Sequence, residues 1–171
     1  MRFLPTKLNM SKIIGIDPGF DRLGFAIIVV DGCRVRAIDF GVITTDKKDE
    51  FGSRLLQLEK DLLCLLKEHK PDLLSMEKLY TTVNQKTAMK VAEARGVVTL
   101  TAARCKLPTV EFTPNQVKSA VTGNGAADKK AMQKMVTRLF NLSCVPKPDD
   151  AADALAIALT ASTGLISRNI R

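Results

Sequence analysis

This chain has no tryptophan, a single histidine, a single tyrosine and no closely spaced cysteines. His69, the only histidine, sits in Glu68-His69-Lys70-Pro71 and reads as a solvated residue at a helix end. With it set aside, no His-based triad and no imidazole zinc site can be built. The four cysteines, at 33, 64, 105 and 144, form no CxxC pair. Metal and redox motifs need closer spacing, so free thiols in a reducing cytoplasm are expected. No apolar run approaches the ~20 residues of a spanning helix, and no membrane role is expected. The opening MRFLPTKLNMSK is basic but lacks the apolar core of a secretory signal. It reads as a loose tail, and Met10 is equally placed to be the start. Internal repeats, low-complexity stretches and a second domain are also missing. One domain over residues 1–171 is expected, with tails at 1–11 and 163–171.

What is present is an ordinary globular composition, 46% hydrophobic and 26% charged over 171 residues, enough for one full core. The net charge of +8 is unevenly placed. Residues 78–138 hold 11 Lys and Arg against only Glu93, Glu111 and Asp128, whereas the remainder has 15 basic and 15 acidic residues. A charge run is usually a solvated face. An excess confined to about a third of the chain points instead to a polyanion, with nucleic acid the leading partner.

The stretch Ile13–Gly24, IIGIDPGFDRLG, organises the rest. Its apolar run reads as a strand buried on both faces, ended by Asp17 and broken by Pro18-Gly19. A carboxylate there is costly unless paired, and a metal ion is a usual partner; plain turn capping is the competing account. A second strand runs to Val30, Asp31-Gly32 is a hairpin signal, and a third strand covers about Cys33–Ile43. Leucines at 55, 58, 62, 65 and 66 predict a helix over 54–69, ended by Pro71. Residues 72–77 then read as a short buried strand that again finishes on an acid, Glu77. Strand, helical crossover and strand predict a parallel pair, which brings Asp17 and Glu77 to one sheet edge. A loop over 79–83 leads to a helix over 84–104 whose apolar residues lie nearly all round. It needs cover on two sides, from its own sheet and from later helices or a second subunit. A fifth strand spans 109–112. Thr113-Pro114 opens a helix that Gly123-Asn-Gly125 breaks, and Asp128 caps the next, to about Phe140. The last helix runs from Asp149 to about Ser162. The expected fold is α/β, a mixed five-stranded sheet of three antiparallel and then two parallel strands, flanked by helices.

That last helix carries a second convergence. Asp150 and Asp153, three apart, share a face of its first turn, and alanines at 151, 152, 154 and 156 allow close approach to a sheet. Acidic capping is the simpler account, and is expected of Asp149. Asp17, Glu77, Asp150 and Asp153 would together set four carboxylates at one edge. Oxygen-only ligation suits Mg²⁺ or Mn²⁺, and two such ions suit in-line displacement at phosphorus.

DPG after an apolar strand, Glu77-Lys-Leu-Tyr80, Phe112-Thr-Pro-Asn-Gln-Val-Lys118 and Asp150-Ala-Ala-Asp-Ala-Leu-Ala156 occur in that order. Together they resemble the RuvC family of bacterial Holliday-junction resolvases, over about residues 12–161. The resemblance implies an RNase H-like fold and a cytoplasmic, Mg²⁺-dependent homodimer. It implies paired nicks across a four-way DNA junction that leave 5′-phosphate and 3′-hydroxyl ends, and work beside RuvA and RuvB. By the same resemblance the catalytic, metal-holding acids are Asp17, Glu77, Asp150 and Asp153. Lys118 and Lys129 approach the scissile phosphates, and Tyr80 stacks on a base near the crossover. Thr81, Thr82, Asn84, Lys86 and Lys130 are further candidates for DNA contact. Ordinary solvated lysines and a gap-filling tyrosine remain open for these, and Gly123 and Gly125 either shape a phosphate loop or end a helix.

Two rival functions are consistent with parts of the chain. An actin-like ATP-binding phosphotransferase also follows a strand-end Asp with glycines, but it needs a second glycine-rich loop and a much longer chain. A junction-binding module without activity would not need all four acids.

Overall fold

The computed structural model describes residues 10–78 and 85–169, the side chains at 85–87 and 165–169 excepted. Tyr80, Thr81, Thr82, Asn84 and the side chain of Lys86 lie outside the described residues.

Five strands form one sheet: β1 (Ser11–Asp17), β2 (Arg22–Asp31), β3 (Arg34–Thr44), β4 (Leu73–Glu77) and β5 (Thr109–Phe112). Their order across it is β3-β2-β1-β4-β5. β1, β2 and β3 pair antiparallel, whereas β4 runs parallel to β1 and β5 parallel to β4. This is the expected mixed sheet. The hairpin turn sits one residue later than expected, at Gly32-Cys33, because Asp31 still pairs with Arg34 and Gly32 takes the positive φ of 59°.

Helices cover both faces. α1 (Phe51–His69) and α2 (Gln85–Arg104) lie on one; α3 (Pro114–Thr122), α4 (Lys129–Leu139) and α5 (Asp149–Asn169) lie on the other. The alternation of side chains along a strand assigns residues to faces. Ile14, Ile16, Leu74 and Met76 pack with Leu58, Leu62, Val98 and Ala102 of the first pair. Ile13, Ala26 and Ile28 pack with α5. By the same alternation Gly15, Asp17 and Glu77 face α5, and the Ser75 hydroxyl confirms the direction of β4 by donating to Ile157 O at 2.9 Å.

α5 can lie against the strands because both surfaces are stripped of side chains. Its residues Ala151, Ala152, Ala154, Ala156 and Ala158 are buried. Opposite them, a Cβ on Gly15 would lie 2.7 Å from Ala158 N, and one on Gly24 would overlap the carbonyl oxygen of Asp150. α5 continues to Asn169, beyond the expected end at Ser162. Gly164 costs a helix only about 1 kcal/mol, and the Thr163 hydroxyl is satisfied within the helix by Thr160 O at 2.8 Å.

Capping follows the sequence at two other helices. Thr113 and Gln116 form a reciprocal capping box with Pro114 in the first turn, and Asp128 accepts from Ala131 N at 2.7 Å. Gly123, with φ 75°, ends α3. His69 is a correction. Its ring is half-buried rather than solvated, with Nε2 3.2 Å from Asp39 Oδ2, because β3 passes beside the end of α1.

Candidate active site

β1 and β4 run parallel and in register, Ile16 opposite Met76, so Asp17 and Glu77 leave the sheet at the same edge and on the same face. The first turn of α5, seated on Gly24, brings Asp150 and Asp153 down to that edge. Glu77 and Asp153 line one cavity of about 250 Å³, together with Asp128, Lys129 and Lys118.

The carboxylates act on one another. Burial, and after it the charges of Asp153, Glu77 and Asp150, raise Asp17 from 3.8 to about 7. Burial and then Asp153 push Glu77 up, while Lys118 pulls it back. Asp153 is likewise raised by burial and opposed by Lys129. Residues from positions 17, 77, 150 and 153 therefore share a single electrostatic environment.

Two of the four acids are held by cations. Lys129 Nζ lies 3.4 Å from Asp153 Oδ2 and 2.7 Å from Asp149 Oδ2. Arg22 Nε is 3.2 Å from Asp150 Oδ2, as an ion pair not aligned for a hydrogen bond, so that buried oxygen has no hydrogen-bond partner. Asp149 adds an ion pair to its expected place at the start of the helix, its carboxylate also accepting from its own backbone N–H. It lies inside the first turn of α5 and pairs with Lys129, which holds its carboxyl below the usual range. Among the described residues no three carboxylates, histidines or cysteines stand in a ready ligating arrangement. The donor set nevertheless suits a hard divalent cation: only oxygens, crowded like charge, and an orphaned buried oxygen on Asp150.

Of the expected DNA-contacting lysines, Lys118 of α3 and Lys129 of α4 lie at the cavity, whereas Lys130 is exposed and does not line it. Two arginines that sequence reasoning passed over support the acids. Arg22 pairs with Asp150, and Arg95 of α2 donates to the backbone oxygen of Glu77 while pairing with Glu111. Nothing in the spacing of either residue signals its partner.

The family model described as "Crossover junction endodeoxyribonuclease RuvC" matches residues 13–161. The chain belongs to the RuvC family. It is 50% identical over 147 residues to the RuvC of Thermosipho melanesiensis, covering 86% of this chain and 94% of that protein. The RuvC of Syntrophomonas wolfei subsp. wolfei is 46% identical over 148 residues, 86% of each chain. Among solved structures, "T. thermophilus RuvC in complex with Holliday junction substrate" is similar with a TM-score of 0.87 at 30% identity, covering 93% of this chain and 97% of that one. The RuvC resemblance carried by the four sequence motifs, and the RNase H-like fold it implied, are both borne out.

Proposed function

We infer that this chain is a crossover junction endodeoxyribonuclease, which resolves four-way Holliday junctions in recombination and repair. The observation that carries the reading is the joining of a RuvC family match over residues 13–161 to a carboxylate cluster at one sheet edge. We propose Asp17, Glu77, Asp150 and Asp153 as the catalytic acids and the holders of divalent metal. Mg²⁺ is the proposed ion, two per site, with Mn²⁺ able to replace it. Bound there, it would lower the pKa of an attacking water and stabilise the leaving 3′-oxygen, giving 5′-phosphate and 3′-hydroxyl ends.

The chain's own residues supply the rest. Asp17 and Glu77 stand on the ends of two hydrogen-bonded strands, so their spacing is fixed by the ladder before substrate arrives. Arg95 anchors the backbone carbonyl of Glu77. Lys118 and Lys129 face the same cavity and are placed to meet a phosphate; a phosphate bound there would draw Lys129 from its two aspartates. Lys130, Lys86 and Tyr80 are proposed as further DNA contacts.

A single nuclease domain acting as a homodimer is proposed, since a four-way junction offers two equivalent strands and a two-fold pair offers two equivalent sites. Met89 and Leu100, 71% and 51% exposed on α2, are among the exposed apolar residues that such pairing could cover. Bacterial cytoplasm is the proposed location. RuvA and RuvB are the further partners that the family suggests.

The test is incubation of the purified chain with a synthetic four-way junction and with linear duplex of the same sequence. Paired, ligatable nicks in the junction alone, present with Mg²⁺ and absent with chelator, are expected. Cleavage that ignores branching, or that survives chelation, contradicts the reading.

A further inference from the structure

A second polar cluster adjoins the carboxylates without belonging to them. The buried side of α1 is leucine, Leu58, Leu62 and Leu66, except at Arg54, which is only 6% exposed. A buried guanidinium is costly unless its donors are met. Those of Arg54 reach into two other segments. Nη2 donates to Phe20 O at 3.0 Å and to the Asp21 carboxylate, and Nε donates to Thr45 Oγ1 at 2.9 Å. The Thr45 hydroxyl donates in turn to Phe20 O at 2.7 Å, and Thr45 N to Asp21 O at 3.3 Å. Lys47 Nζ holds the other Asp21 oxygen at 3.3 Å. The Phe20 ring has the Arg54 guanidinium 5.3 Å and Lys90 Nζ 5.5 Å from its centroid, and Lys90 also lies 5.4 Å from the ring of Phe51.

These contacts converge on the turn 18–21. That turn follows Asp17 directly, and Asp17 makes the last pairing of the β1–β2 ladder, opposite Gly24. Beyond that pair the turn is what sets the backbone carrying the carboxylate. An aliphatic side chain at position 54 would extend the leucine row but leave Phe20 O, the Asp21 carboxylate and Thr45 Oγ1 without their donor. What the planar, forked guanidinium adds is direction.

We infer that Arg54 is a positioning residue for the nuclease reaction: it fixes the turn 18–21 and, through it, the Asp17 carboxylate. The inference rests on the reading of Asp17 as a catalytic acid. A misplacement of about 1 Å at a reacting group costs on the order of 100-fold in rate, so loosening this turn is expected to slow cleavage without weakening junction binding.

The experiment compares the full chain with Arg54→Met, Arg54→Lys and Thr45→Val. Single-turnover cleavage of a synthetic four-way junction is measured in Mg²⁺, junction affinity in chelator, and amide hydrogen exchange in the free protein. Arg54→Met should lose about 10- to 100-fold in rate at unchanged affinity, with faster exchange confined to residues 18–23. Arg54→Lys restores the charge but not the fork and should fall between. Thr45→Val, which removes one hydroxyl and no charge, should show a smaller loss of the same kind. A full rate in Arg54→Met, or a loss matched by weaker binding and by faster exchange throughout the sheet, overturns the inference. Should Arg54→Met fail to fold, a wild-type rate in Thr45→Val overturns it. Asp17→Asn is run beside them. If it still cleaves, the reading of Asp17 is what fails; if it is inactive while Arg54→Met is fully active, only the positioning role fails.

Discussion

Asp17 shows at the scale of one residue what the site does to a carboxylate. Its native pKa of about 7 stands above the 3.8 of a free side chain, because of burial and three neighbouring acids. An acid raised in this way favours the native state while protonated. The advantage is complete below about pH 4 and is lost as the pH climbs towards 7. Without divalent metal the protein should therefore lose stability across that interval, by on the order of a few kcal/mol. Asp17→Asn should flatten the decline and melt above wild type at pH 8, whereas Mg²⁺ should raise the melting temperature of wild type more than that of the variant. Thermal denaturation from pH 4 to pH 8 checks this, and parallel curves for the two proteins contradict it. The acid itself was legible in the sequence, since a carboxylate ending an apolar strand has few inexpensive explanations. Its surroundings were not. Arg54 lies where α1 begins, and nothing in its spacing signals burial; Arg22 and Lys129 meet their aspartates only through tertiary contacts that no local spacing encodes.

At the scale of elements, the site depends on how closely α5 approaches the sheet. The alanines of α5 were legible as a face made for close packing. Their counterparts Gly15 and Gly24 were not, because glycine within an apolar strand signals many things and the contact joins residues over a hundred positions apart. Gly24→Ala tests the seat directly. The added Cβ overlaps Asp150 O, so the first turn of α5 must lift and carry Asp150 and Asp153 with it. A stability loss of about 1–3 kcal/mol is expected from overpacking of this kind, together with a larger proportional loss of cleavage in the protein that remains folded. Denaturant unfolding beside single-turnover cleavage reads both, and an unimpaired cleavage rate contradicts the account. α5 runs past the expected end at Ser162 because Gly164 costs a helix only about 1 kcal/mol and the hydroxyls of Thr160 and Ser162 are met within the helix, by Ala156 O and Leu159 O.

Across the whole molecule, topology turns separate local signals into one place. β1, β4 and α5 are separated by crossovers in sequence, yet parallel pairing and the glycine seat deliver Asp17, Glu77, Asp150 and Asp153 to one edge, within reach of Lys118 and Lys129. The antiparallel set β1–β3 and the parallel pairing of β4 with β1 were legible because hairpins followed by a strand–helix–strand unit admit few arrangements. The grouping of charge was legible too, in the excess of basic residues over 78–138. The most direct measurement takes Asp17→Asn, Glu77→Gln, Asp150→Asn and Asp153→Asn singly and records junction binding and Mg²⁺-dependent nicking by each. The account predicts that all four bind the four-way junction and that none cleaves it at a measurable rate. Nicking at the wild-type rate by any one of them would remove that acid from the site and contradict a single four-carboxylate centre.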